Sequence, residues 1–152
     1  MKRLVLMAVG AAAAGLAIAV LGASAGGQST ATVHVIEHAI SDATTTDAGK
    51  KGDSAGDILT FANPVFDATD KRKVGSDQGW CVRTVPGKAY ECFWTTFLAR
   101  GQITVEGPFY DASNSVLAIT GGTGIYAGAR GTMDLKSRAK GTKFDFVFHV
   151  AS

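Results

Sequence analysis

Short runs in which apolar and polar side chains alternate recur along the chain from Thr32 onward, each bounded by Gly, Pro, Asn, Asp or Ser. A period of two places every second side chain on one face of a strand. The first run sets Val33, Val35 and Glu37 on one face and His34, Ile36 and His38 on the other. Asp57 to Phe66 reads as a second strand, in which Pro64 predicts a bulge or an unpaired edge because it brings no N–H to a ladder. A polar turn through 71–75 leads to a third strand at about 79–84. The turn Val85-Pro-Gly-Lys88 then returns a fourth, Ala89 to Leu98. Four more extended runs follow at 102–110, 115–120, 132–138 and 142–150. In the last, Phe144, Phe146, Phe148 and Val150 share one face, and Val147 keeps the other partly apolar between Asp145 and His149. Between the first two strands, Ser41 to Gly56 lacks an apolar period and reads as a flexible loop.

Eight strands joined mostly by short turns, with no helical period among them, predict an all-β fold, either an antiparallel barrel or a sandwich. The two-sided last strand favours closure into an eight-stranded barrel, wide enough for side chains or one small ligand. The glycine-rich stretch Gly121 to Gly131, with five glycines in eleven residues, joins two of these strands. It is too rich in glycine for a helix and reads as a loop or barrel corner. It lacks the Gly-Lys-Ser/Thr ending of a phosphate loop and no helix follows it, which argues against anion binding.

The N-terminus changes the domain count. Lys2 and Arg3, the apolar run Leu4 to Leu21 and the sequence Ala23-Ser24-Ala25 match a secretory signal, so residues 1–25 are expected to be removed on export. The competing reading is an uncleaved membrane anchor, since the run is about the length a spanning helix needs. Residues 26–56 then carry the first strand and loop, and 57–152 the remainder of a single barrel domain. Without Lys2 and Arg3 the 15 basic residues fall to 13 and match the 13 acidic ones. A near-neutral chain whose one basic cluster, Lys71-Arg72-Lys73, sits beside Asp67 and Asp70 gives no footprint for nucleic acid.

Export also bears on Cys81 and Cys92. A four-residue loop at 85–88 pairs residue 84 with 89 and therefore 81 with 92, which makes a cross-strand disulfide the first expectation and two buried thiols the alternative. His34, His38 and His149 offer no metal-binding spacing, so neither metal nor cofactor is expected. Glu37 shares a face with Val33 and Val35. It is either a solvated strand residue or a carboxyl facing an apolar lumen, where burial would raise its pKa.

The segments Gly56 to Asn63, Gly79 to Val82, Gly101 to Pro108 and, above all, Leu117 to Gly128 resemble allene oxide cyclases, in order and spacing over Val33 to Val150. Dirigent proteins share the barrel and versions of the Gly-Gly-Thr-Gly and Ala-Arg-Gly segments. The resemblance implies an eight-stranded antiparallel barrel, usually a homotrimer, whose apolar lumen folds an oxidised fatty acid so that it cyclises. It places Glu37 on a lumenal glutamate that polarises the substrate, Asn63 on an asparagine that holds a water, and Cys81 on the lumen wall. Trp94, Phe109 and Phe144 are further candidate wall residues. Ala39 and Phe109 depart from the cyclase pattern, standing in place of an asparagine and a tyrosine, and the serine-proline pair after the first strand has no counterpart. The alternatives are a dirigent-like protein, which orients phenolic radicals made by a separate oxidase, and a non-catalytic lipid-binding barrel.

Overall fold

A computed structural model describes residues 30–151. The segment read as a signal, 1–25, lies outside the described residues. Nine strands follow in order: β1 (Thr30–His38), β2 (Ala43–Thr46), β3 (Ile58–Asp67), β4 (Lys73–Val85), β5 (Ala89–Leu98), β6 (Gly101–Tyr110), β7 (Ser115–Gly122), β8 (Arg130–Arg138) and β9 (Lys143–Ala151). All pairings are antiparallel, and the sheet order β1-β9-β8-β7-β6-β5-β4-β3 closes through β1 and β3. Eight strands therefore form a closed barrel. The ninth, β2, is a short exposed flap on β3, with Ala43 opposite Thr60.

One edge of β3 is shared by two partners, β2 beside Ile58 to Thr60 and β1 beside Val65 to Asp67. Pro64 stands in the gap between them, and the register with β4 shifts between Val65 and Phe66. A residue without an N–H is thus placed where the ladder is already interrupted.

Alternation sends Phe146 and Phe148 of β9 inward, almost fully buried, to meet Trp94 and each other at ring-centroid distances of 5.3 and 6.4 Å. Each such side chain contributes about 1.5–3 kcal/mol by leaving water. The core continues through Val35, Val65, Ile103, Val105, Leu117 and Met133, all on inward positions of their strands.

Three expectations are corrected. The loop Ser41 to Gly56 contains β2 and is pinned rather than free: Asp57 accepts hydrogen bonds from the Ala48 and Ser54 amides, both at 2.8 Å. Polar anchors do here what an apolar period does elsewhere, so hydropathy does not reveal them. The β4–β5 hairpin pairs Val85, not Thr84, with Ala89, and a bulge at Thr84 restores Arg83 opposite Tyr90 and Cys81 opposite Cys92. The third predicted strand begins at Lys73, six residues early, because Gly75, Ser76 and Asp77 pair on both sides despite their polarity.

The glycine-rich bridge is a corner: its first glycines end β7, a single 3-10 turn spans Gly124–Tyr126, and Gly131 lies in β8. The turn folds back on the β5–β6 connection, with Ile125 N–H donating to Arg100 O at 3.1 Å. Gly124 has φ +61°, and a Cβ there would lie 2.2 Å from Arg100 O, so only glycine permits the approach. Tyr126 packs from this corner onto the core. The corner sits beside Thr30, Ala151 and Arg130, whereas Glu37, Phe144 and Ser137 lie together at the other end of the same strands.

Candidate functional site

At the Glu37 end the inward face of the barrel turns polar on three neighbouring strands. Glu37 of β1, Asn63 of β3 and Asp77 of β4 are each at most 4% exposed. The register explains their meeting: Glu37 pairs with Val65 two residues from Asn63, and Asn63 pairs directly with Asp77.

Asn63 organises the group. Its Nδ2 donates to Glu37 Oε1 at 2.8 Å and to Asp42 Oδ1 at 2.6 Å. Its Oδ1 accepts from the amides of Ile40 and Ser41, both at 3.0 Å, and from Ser41 Oγ at 2.9 Å. An amide offers two donors and two acceptor lone pairs, so Asn63 is saturated by the protein. It orients Glu37 and ties down the chain between β1 and β2.

Burial raises the Glu37 carboxyl to about 7; the Asn63 hydrogen bond opposes the rise, and the nearby Asp42 charge adds to it. Burial and the Glu37 charge together push Asp77 higher, to about 9. Two acids this close cannot both ionise cheaply, so between these two values the pair keeps one proton, on Asp77. Asp77 Oδ1 accepts from the Asn63 amide at 3.3 Å, and the buried Oδ2 accepts from no donor among the described residues. A protonated Asp77 donating to Glu37 fits both facts.

Above this group the lumen holds a cavity of about 70 Å³, bounded by Glu37, Asp42, Phe61, Tyr90, Phe109 and Phe144, with Cys81 in its wall. A larger depression of about 520 Å³ at the mouth shares Phe109, Leu135 and Phe144 with it. Four aromatic side chains, Phe61, Tyr90, Phe109 and Phe144, line the cavity, and Phe109 and Phe144 meet edge to face at 5.7 Å. Cys81 and Cys92 are disulfide-bonded from directly opposed positions, with Cα atoms 4.0 Å apart. Arg83 closes the rim: it stacks 3.5 Å over the Tyr90 ring, its Nε lies 2.6 Å from Asp53 Oδ1, and its Nη1 donates to both Asp111 oxygens at 2.8 and 2.7 Å.

The structure thus gathers Glu37, Asn63, Cys81, Phe109 and Phe144 at one end of the lumen. Trp94 lies deeper, between Phe61 and Phe146, and does not border the cavity. The three histidines stay apart on the outer surface, each beside an aspartate: His34 with Asp145, His38 with Asp70 and His149 with Asp134. Asp77, Arg83 and Tyr90 escaped the reading of the sequence, although a signal existed. Asp77 and Arg83 have the parity of Cys81 on β4, and Tyr90 that of Cys92 on β5, so a disulfide facing the lumen turns all three inward.

The family described as allene oxide cyclase matches residues 32–152. Among solved structures the barrel is similar to a pyocyanin demethylase, with 27% identity and a TM-score of 0.66, covering 78% of this chain and all of that one. It is also similar to a pterocarpan synthase dirigent protein, at 17% identity and TM-score 0.67 over 81% of this chain and 95% of the other. An exo-specific intermolecular Diels–Alderase aligns at 14% identity and TM-score 0.65 over 82% and 99%. The last two likenesses concern the fold alone.

Proposed function

Since the chain belongs to the allene oxide cyclase family, we propose that it binds an apolar small molecule at the Glu37 end of its lumen and steers that molecule's cyclisation or isomerisation. The observation that carries the reading is a buried carboxylate, Glu37, which with the exposed Asp42 faces a cavity whose other walls are mainly apolar and aromatic. Confinement between Phe61, Phe109 and Phe144 would select a reactive conformer, and exclusion of water would strengthen the pull of Glu37 on a developing positive charge. Glu37 is the polarising group. Asn63 is a positioning residue, because its hydrogen bonds are spent on Glu37, Asp42 and the 40–41 amides. The disulfide supports export of the mature chain, and the family resemblance supports a trimer.

The test is turnover of an allene oxide generated in place, read as product chirality. A single enantiomer whose excess falls with Glu37→Gln is expected; a racemic product overturns the cyclase chemistry. The saturation of Asn63 favours a second reading, since no amide is left to hold a water at an epoxide. In that case the barrel acts as a dirigent-like guide for radicals from a separate oxidase. Stereocontrol that appears only when an oxidase and a phenol are supplied would select this reading.

A further inference from the structure

The charge around the lumen cavity is one-sided. Among the described residues that border it, Glu37 and Asp42 are acidic and none is Lys, Arg or His. The adjoining mouth contributes Asp111 and again no base. The nearest guanidinium, Arg83, is held between Asp53 and Asp111, and these two carboxylates outweigh its charge.

Glu37 itself meets an amide N–H from Asn63 and the carboxyl of Asp77, and the ion pairs among the described residues do not include it. Buried charges are ordinarily balanced by a partner of opposite sign. The open side of Glu37 is the cavity, so a cation held there would stand against the carboxylate. The walls point the same way, because Phe61, Phe109 and Phe144 line the cavity and aromatic rings attract cations through their negative faces.

We propose that the cavity and the mouth above it together take a flat aromatic cation, its delocalised positive charge against Glu37 and its body along Phe109 and Phe144. A ligand with a carboxylate inside the lumen is excluded, because Glu37 and Asp42 repel it at short range in a site of low dielectric. Among ligands with an apolar body of the same shape, the charge then decides what enters. This inference rests on the reading that the lumen binds a small molecule, and it names the class.

Three probes of nearly equal shape test it: quinoline, N-methylquinolinium and quinoline-2-carboxylate, titrated calorimetrically at pH 8 into the disulfide-intact protein. The cation is expected to bind at least tenfold more tightly than quinoline, and the carboxylate at least tenfold more weakly. Glu37→Gln should shrink the cation's advantage to under threefold, and Asp42→Asn, at the exposed rim, should shrink it less. The ranking in the unmodified protein decides the matter even if the Glu37 variant fails to fold. Quinoline binding with no preference for the cation, or with preference for the carboxylate, overturns this inference and leaves lumen binding standing. Failure of all three probes to bind overturns both.

Discussion

Replacing Asp77 by asparagine removes one titrating group from the centre of the barrel while leaving an N–H able to donate to Glu37. The folded protein holds the Asp77 proton up to about pH 9, whereas the unfolded chain releases it near the ordinary value of 3.8. A folded pKa raised in this way gives stability that is fully present below the unfolded pKa and is lost as pH rises through the folded one. Between pH 7 and 8.5 Asp77 therefore holds about one proton more in the folded state than in the unfolded state. Stability falls by about 1.36 kcal/mol per pH unit, or about 2 kcal/mol across the interval. In Asp77→Asn this loss disappears. Glu37, raised to about 7, makes most of its own contribution below this interval in both proteins, so the difference between their slopes isolates Asp77. Urea unfolding followed by tryptophan fluorescence at the two pH values, with the disulfide intact, measures it. For a domain of this size 2 kcal/mol moves the urea midpoint by on the order of 1 M. The unmodified protein should lose that much on going from pH 7 to 8.5 and the variant almost nothing. Equal losses would refute a proton held on Asp77.

Two further expectations concern the frame around the site. Opening the Cys81–Cys92 disulfide by paired Cys→Ser substitution frees a short loop of sequence separation 11. Its closure is worth about 3 kcal/mol, which thermal denaturation should show as a Tm lowered by roughly 10 °C or more. Arg83→Met strands Asp53 and Asp111 at the rim; because both aspartates are partly exposed, the expected loss is about 1–2 kcal/mol. Limited proteolysis should then cut within residues 47–57, and an unchanged cleavage pattern would mean that Arg83 does not hold that loop.

Much of the barrel was legible because strands announce themselves by period. The last strand shows this most clearly, with Phe144, Phe146 and Phe148 buried and Asp145, Val147 and His149 facing outward as alternation requires. The glycine-rich bridge was legible as a corner for a similar reason: glycine content reports backbone geometry. The 41–56 loop was misread because hydrogen bonds to Asp57 and ion pairs to Arg83 order it, and polar order leaves no mark in hydropathy. The early start of β4 was missed for the same reason.

What the sequence by itself determined is the eight strands of the barrel, the parity of the side chains on each, and the opposition of Cys81 to Cys92, all of which depend on residues close in the chain. The environment of Glu37 was decided only by the tertiary structure. Asn63 is 26 residues away from it, and Asp77 stands on a third strand, 14 residues beyond Asn63. Only closure of the ring between β1 and β3 brings the three together and removes them from water. A carboxylate's pKa and the charges that surround it are properties of that enclosure, not of the residue or its neighbours in sequence.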